Sequence, residues 1–320
     1  MTTHTGRKYL ISIDGGGTKT GICVFDRSCG SSKSAVCGGG NYKTHGIETV
    51  RKRIQNCLQE LFPTGTDIPA ETEFLVMGLS GCDSPHDLEI YADLIQSLGF
   101  SPERTLICND SELVFRSHFE APGICTVAGT GTISLAFCED GTVVRAGGWG
   151  APISDEGSGY WIGAEIVRAF LNWVDGTGEY DTFFSGIPAA LACGSDEEAA
   201  SMIAAMSPAQ IAEWAMPVFG SAAENALCMK IIQNAAEKTA QLTASACRKG
   251  GLLQKKDLNI VESGSLFKND LYETSFQKRL TGLLPGNDYH FHRSDWVPAE
   301  EGINLAMKMA DRTVKTQSCD

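Results

Sequence analysis

The sequence predicts an α/β protein built from two similar domains, and three observations carry that expectation. Short apolar runs of strand length alternate with longer segments of three- and four-residue periodicity. A strand, a glycine-rich break and a second strand occur twice, over residues 9–26 and again over 124–144. The length of 320 residues suits two domains better than one.

The first half opens with apolar Tyr9, Leu10, Ile11 and Ile13, breaks at Asp14-Gly15-Gly16-Gly17-Thr18-Lys19-Thr20, and resumes over 21–25, which reads as a hairpin. A third strand fits 34–39 and runs into Gly38-Gly39-Gly40-Asn41. Ile47, Val50, Ile54, Leu58 and Leu61 recur at helical steps and predict a helix over 47–62. The unbroken apolar run at 74–79 predicts a strand buried on both faces, ending in Ser80-Gly81-Cys82-Asp83. An amphipathic helix over 88–98 is closed by Gly99, and a strand over 105–108 ends in Asn109-Asp110. These elements make a first domain over 1–118.

The pattern then restarts. A strand at 124–127 leads into Ala128-Gly129-Thr130-Gly131-Thr132, followed by strands at 134–138 and 143–144 around a turn at Asp140-Gly141. Gly147-Gly148-Trp149-Gly150 and the stretch from Ser154 to Gly159 feed a helix over 161–173. Residues 196–249 are helix-rich, with a long run at 224–248. A strand at 258–261 ends in Glu262-Ser263-Gly264-Ser265, an edge strand fits 290–296, and a last helix fits 300–312. The second domain is expected over 119–320 with a helical insertion, its closing helix at 300–313 packing back on the first domain.

Bulk composition narrows the partners. Hydrophobic residues make up 42% and charged residues 20%, the balance of a globular chain. With 26 basic against 39 acidic residues the net charge is −13, which argues against nucleic acid or an anionic membrane as the main partner. Residues 1–8 are polar and give no secretory signal, and no stretch approaches the ~18 apolar residues of a membrane span. The 12 cysteines are scattered without a CxxC pair, as expected of reduced thiols in a cytoplasmic protein.

Three adjacent glycines do more than turn a chain, because without Cβ atoms their N–H groups can approach a ligand closely. With the Thr18 and Thr20 hydroxyls and the Lys19 ammonium they suit a phosphate. Asp14 beside them calls for a cation between carboxylate and polyphosphate, and Mg²⁺ is the usual one. A hairpin with no ligand is the plain alternative; the spacing is neither that of a Walker A loop nor GxGxxG before a helix. On the residues alone Asp110 reads equally as a catalytic base or as a cap for the helix that follows, a duty Asn109 or Ser111 could also fill. Polar or glycine-rich loops follow the predicted strands at Asp14, Ser80, Asp110, Gly129 and Gly264, so ligands are expected beyond the strand ends, in a cleft between the domains.

The ordered set DGGGTKT (14–20), NDSE (109–112), GTGT (129–132) and GGWGAPISDEGSGYWIG (147–163) resembles the N-acetylglucosamine kinase branch of the BadF/BadG/BcrA/BcrD family, within the actin, hexokinase and sugar-kinase superfamily. The match is dense over residues 9–163 and rests mainly on element order beyond. The resemblance implies two ribonuclease-H-like (actin/hexokinase-type) domains with an active-site cleft between them. It implies ATP and Mg²⁺, with phosphates held by Gly15, Gly16, Gly17, Thr18, Lys19 and Thr20 and by Gly129, Thr130, Gly131 and Thr132. Asp14 would hold the metal through water and Asp110 would be the general base. Asn41, Thr130, Gly148, Trp149, Gly150 and Asp155 match sugar-contacting positions; Ala212, Gly264 and Ser265 match the adenosine side. One glycine of the superfamily's adenosine pair is a serine here, and the closing helix keeps only part of its P-x-x-G-A start, at Pro298 and Gly302. For Trp149 the alternative is a core aromatic, and for Asp155-Glu156 it is helix capping and first-turn charge.

The implied activity is transfer of a phosphoryl group from ATP to a hexosamine, N-acetylglucosamine to its 6-phosphate, by a homodimer acting on small molecules alone. Glucosamine, N-acetylmuramic acid or N-acetylmannosamine are alternative substrates. A different class, an ATPase activator of a dehydratase or reductase, would need cluster-binding cysteines at the junction of the halves; Cys125 and Cys138 lie near it but within apolar runs. A sugar-sensing repressor would need a DNA-binding domain and a CxCGxxGC cluster, neither of which the sequence contains.

Overall fold

The structure is a computed structural model that describes residues 6–120, 122–286, 288–294 and 298–317. The chain divides into two compact units, Met1–Glu120 with Ser294–Asp320, and Ala121–Arg293. The second unit therefore stops at Arg293, short of the boundary expected from sequence, and the closing segment is counted with the first.

In the first unit a hairpin of β1 (Tyr9–Gly15) and β2 (Lys19–Asp26) is followed by β3 (Ser31–Gly38), α1 (Tyr42–His45), α2 (Ile47–Leu61), α3 (Ile68–Glu71), β4 (Thr72–Leu79), α4 (Pro85–Ser97), β5 (Thr105–Cys108) and α5 (Asp110–His118). The sheet order is β3-β2-β1-β4-β5, antiparallel through the first three strands and parallel from β1 to β5. Alternation along the strands sorts the side chains to two faces. Ile11, Ile13, Leu75 and Met77 pack with Val50 and Ile54 of α2 and Leu94 and Ile95 of α4. Leu10, Phe74 and Val76 form the other face with Leu113 of α5. The run expected to be buried on both sides is so, with six consecutive buried residues at 74–79. Helix α4 starts three residues before its expected position because Ser84 caps it, accepting the Asp87 N–H at 3.2 Å, with Pro85 at the first turn.

The second unit repeats that plan. Its strands are β6 (Gly123–Ala128), β7 (Thr132–Phe137) and β8 (Val143–Gly147), followed by helices α6 (Gly159–Val174), α7 (Ile187–Ala190), α8 (Asp196–Ala204), α9 (Pro208–Glu213), α10 (Ala215–Ser221) and α11 (Ala226–Lys249), then β9 (Asp257–Ser263), α12 (Asp270–Leu283) and β10 (Asp288–Arg293). The order β10-β9-β6-β7-β8, with an antiparallel β6-β7-β8 meander and parallel β6-β9-β10, matches the first sheet strand for strand. The edge strand expected at 290–296 is β10, and Trp296 lies outside the described residues. Helix α11 crosses the sheet through buried hydroxyls: Thr126 Oγ1 lies 2.8 Å from Thr243 Oγ1 and 3.0 Å from Ser134 Oγ.

The closing helix α13 (Pro298–Gln317) returns to the first sheet, where Ala299, Ile303, Leu305 and Ala306 cover Leu10 and Val76. It approaches so closely that a Cβ at Gly302 would lie 2.1 Å from Ser12 Oγ.

Candidate functional site

In the first unit the glycine break is the β1–β2 turn. Gly16 N donates to the Lys19 carbonyl at 2.9 Å, and Gly40 N donates to the Gly16 carbonyl at 2.9 Å, so the β3–α1 loop lies along the turn. The packing needs glycine there: a Cβ at Gly39 would sit 2.3 Å from the Gly17 carbonyl oxygen, and one at Gly40 2.8 Å from Gly15 Cα. Gly17 is different. It is exposed, and a Cβ there would meet nothing within 4 Å. Neither strain nor crowding within the protein asks for glycine at that position. Lys19 and Thr18 are exposed at the same turn; Thr20 is buried, donating to the Gly38 carbonyl at 3.0 Å.

Asp14 closes β1 and is half-buried. Burial, reinforced by the charge of Asp110, pushes its carboxyl up to about 7, against the pull of Lys19 and with a further push from Glu301. Asp110 is the first residue of α5, and Asn109 is the cap, its Oδ1 accepting the Ser111 N–H at 2.9 Å. Asp110 Oδ1 accepts that N–H as well, at 2.8 Å. Loss of solvation raises the Asp110 carboxyl, against the Ser111 hydrogen bond. Asn109 is the cap while Asp110 shares the same N–H, and the Asp110 charge is felt at Asp14. Among the described residues no group of three His, Cys, Asp or Glu side chains forms a ready-made metal site.

Asn41 caps α1, its Oδ1 accepting the Lys43 N–H at 2.9 Å, while Nδ2 reaches Ser80 Oγ at 3.5 Å. Sequence reasoning missed the residues that fix these loops. The Tyr91 hydroxyl, fully buried, donates to the carbonyls of Gly40 (3.0 Å) and Ser80 (3.2 Å). Burial would raise the Asp87 carboxyl, but hydrogen bonds from Tyr42, Ser84 and Lys43 hold it well below the usual range. Asp83 takes a hydrogen bond from Asn109 Nδ2 at 3.0 Å. A tyrosine at a buried position of an amphipathic helix is a signal that a polar partner waits there, and Tyr91 was legible in that sense.

In the second unit a cavity of 650 Å³ is lined by Gly129 and Thr130 from the β6–β7 loop, Ala212 from α9, Met216 and Phe219 from α10, and Ser265 after β9. Four expected site residues, from three separate segments, meet in that one space. Gly264 stands beside it with φ +104°, and a Cβ there would strike the Ala128 carbonyl oxygen at 2.2 Å. Gly129 has only Ser265 Oγ near its missing Cβ, at 3.9 Å. The loop is pinned from behind, Gly159 N donating to the Gly129 carbonyl at 2.7 Å and Tyr160 N to that of Thr130 at 3.1 Å. A cavity of 490 Å³ in the first unit, around Gln55, Phe62 and Pro69, includes none of the expected residues.

Asp155 is buried in a left-handed conformation, φ +70°, and Ser158 rather than Asp155 caps α6. Burial raises its carboxyl while the backbone N–H groups of Thr132, Gly150 and Ala151 draw it down. The same carboxylate leaves no room for a side chain at Gly131, whose Cβ would lie 2.8 Å from Asp155 Oδ2. Asp155 thus ties the 129–132 loop to the 147–151 loop. Trp149 is 76% exposed, so it is no core aromatic; the Arg145 guanidinium covers its ring at 4.1 Å. Arg145, also missed from sequence, donates to the carbonyls of Gly147 (3.0 Å) and Gly148 (2.8 Å) and so shapes that loop.

Residues 11–286 match the model of the BadF/BadG/BcrA/BcrD ATPase family. An N-acetylmuramic acid/N-acetylglucosamine kinase of Clostridium acetobutylicum is 29% identical over 269 residues, 83% of this chain and 87% of its own length. A structure assigned as an N-acetylglucosamine kinase, from Chromobacterium violaceum, superposes with a TM-score of 0.72 at 22% identity over 94% of this chain and 99% of its own. A ROK family glucokinase from Streptomyces griseus, solved with glucose and AMPPNP, gives a TM-score of 0.55 at 14% identity over 95% and 99%.

Proposed function

Because the chain belongs to the BadF/BadG/BcrA/BcrD ATPase family, we propose that it transfers the terminal phosphoryl group of ATP to a hexosamine, N-acetylglucosamine first among them, giving the 6-phosphate. It is an ATP-dependent amino-sugar kinase, in keeping with its Clostridium relative. The observation that carries the reading is the cavity that gathers Gly129, Thr130, Ala212 and Ser265 from distant parts of the sequence. Its apolar side, at Ala212, Met216 and Phe219, suits a purine, with Gly264 and Ser265 on the adenosine. Its Gly129–Thr132 edge suits phosphates, as does the Gly15–Thr20 turn, where glycine at 17 serves no packing need.

Asp110 is the base. Phosphoryl transfer rests mostly on positioning and electrostatics, so the carboxylate needs only to orient the sugar hydroxyl and accept its proton late. Asp14 fits a divalent cation: a carboxyl raised by its own burial and by Asp110 and Glu301 is one whose ionised form Mg²⁺ would stabilise, with water and phosphate oxygens completing the shell. When bound, Mg²⁺ supplies charge neutralisation at the phosphates. Asn41, Thr130, the Gly148-Trp149-Gly150 loop and Asp155 take the sugar, Trp149 offering an exposed flat face. The activator reading is disfavoured by Cys125 and Cys138, which are both buried.

A panel of N-acetylglucosamine, N-acetylmuramic acid, N-acetylmannosamine and glucosamine in a coupled ADP-release assay tests this. ADP release should require Mg²⁺ and one of these sugars, and Asp110→Asn should lower kcat by about 10²-fold or more while both substrates still bind. ATP hydrolysis indifferent to every sugar, or an Asp110→Asn variant within a tenth of wild-type kcat, would overturn it.

A further inference from the structure

Two cysteines stand directly behind the phosphate turn. Cys37 is the register partner of Thr20 at the end of β3, and it packs against the core cluster that holds Cys57 of α2. Cys57 is 3% exposed on α2, the helix packed against β3, whereas Cys37 is half-buried and within reach of a small oxidant. Arg53, one turn before Cys57, adds its positive charge to the Cys37 site and donates to the Gly39 carbonyl at 2.7 Å; Glu60 opposes it. Gly39 in turn lies against Gly17 of the turn. The chain β3–Arg53–Gly39–Gly17 links the thiol pair to the loop that would hold phosphate.

We propose that Cys37 and Cys57 form a peroxide-driven redox couple, Cys37 as the attacking thiolate and Cys57 as the resolving thiol, whose disulfide distorts the Gly15–Thr20 turn. The Cys37 thiolate attacks one oxygen of hydrogen peroxide; the O–O bond breaks, the departing hydroxide takes a proton to become water, and Cys37 is left as a sulfenic acid. Cys57 then loses its proton and attacks the Cys37 sulfur; the S–O bond breaks, a second water leaves, and the S–S bond forms. Two thiols are oxidised by two electrons and one peroxide is reduced to two waters. The roles follow from the surroundings: Cys37 is half-buried and open to a small oxidant where Cys57 is 3% exposed, and the influence of Cys57, Thr20 and Arg53 draws the Cys37 thiol down against its burial while Cys57 is raised. The disulfide draws the end of β3, where Cys37 pairs in register with Thr20, toward α2.

The full chain, reduced and freed of reductant, is treated with hydrogen peroxide, alkylated and mapped by mass spectrometry without reduction, with dimedone as the sulfenic acid probe. The expected result is a 37–57 cross-link in the wild type, a dimedone adduct on Cys37 in Cys57→Ser, and none on Cys57 in Cys37→Ser. No 37–57 cross-link, or an adduct on Cys57 in Cys37→Ser, would overturn the couple. In the turnover assay, which rests on the kinase reading, oxidation should raise the KM for ATP several-fold, reversibly with dithiothreitol, in the wild type and not in Cys37→Ser. A cross-link that leaves KM unchanged overturns the coupling to the turn. A reduced chain that turns over no sugar sinks the kinase reading alone, since the cross-link is scored without it.

Discussion

Asp14 shows how a single buried carboxyl can weigh against the fold. The unfolded chain releases this proton near the ordinary 3.8 and the folded chain near 7. Between those values the folded form binds more protons, so the Asp14 contribution to stability falls as pH rises through that window and levels off above it. Asp14→Asn should therefore raise the Tm of the ligand-free protein more at pH 8 than at pH 5, measured by scanning calorimetry. Equal increments at the two pH values would show that Asp14 is not strained. The sequence marked Asp14 and Asp110 by type and position, but it could not apportion capping and catalysis among Asn109, Asp110 and Ser111. In the fold both the Asn109 and the Asp110 side chains reach the Ser111 N–H, a matter of rotamer that residue order does not show. Trp149 was ambiguous for a similar reason, since burial of one aromatic is decided by what packs over its loop.

At the level of elements the two glycine-bearing loops separate packing from ligand binding. Gly264→Ala places a Cβ 2.2 Å from a backbone oxygen at φ +104°, so it should cost about 1–3 kcal/mol or more of stability. Gly17→Ala meets nothing within 4 Å and should leave stability within about 0.5 kcal/mol of wild type while raising the KM for ATP. Urea unfolding and steady-state kinetics on both variants check this; a Gly17→Ala protein with unchanged KM would remove the turn from the phosphate site. The Gly17 turn and the Gly129–Thr132 loop were visible in sequence because three glycines and the GTGT repeat are rare inside apolar runs. The pinning of the site loops was not visible: Arg53, Tyr91 and Asp155 act from afar in sequence, and only the fold brings them to the loops.

For the whole molecule the duplicated strand order was legible, since hydrophobic period and glycine breaks repeat in the same order. The closing helix was expected to pack back on the first domain through the resemblance, since the periodicity of α13 by itself shows an apolar stripe but not which sheet it covers. Ile303 and Leu305 are at most 7% exposed, and burial of such side chains stabilises by about 1.5–3 kcal/mol each. Set against a typical total of about 5–15 kcal/mol, their loss is severe. Ending the chain at Ser294 should strip amide-exchange protection from β1 and β4 while β6 and β9 keep theirs; uniform protection in the truncated chain would mean that α13 is dispensable.

The return of α13 to the first sheet also sets a timetable. A ribosome finishes β1 to α5 early, then makes the whole of residues 121–293 before α13 emerges. Throughout that interval Leu10, Phe74 and Val76 have Leu113 of α5 beside them but lack the cover that α13 supplies. The unit begun first is completed last, and a nascent or prematurely stopped chain carries a bare apolar sheet face, the kind of surface that chaperones hold and proteases clear.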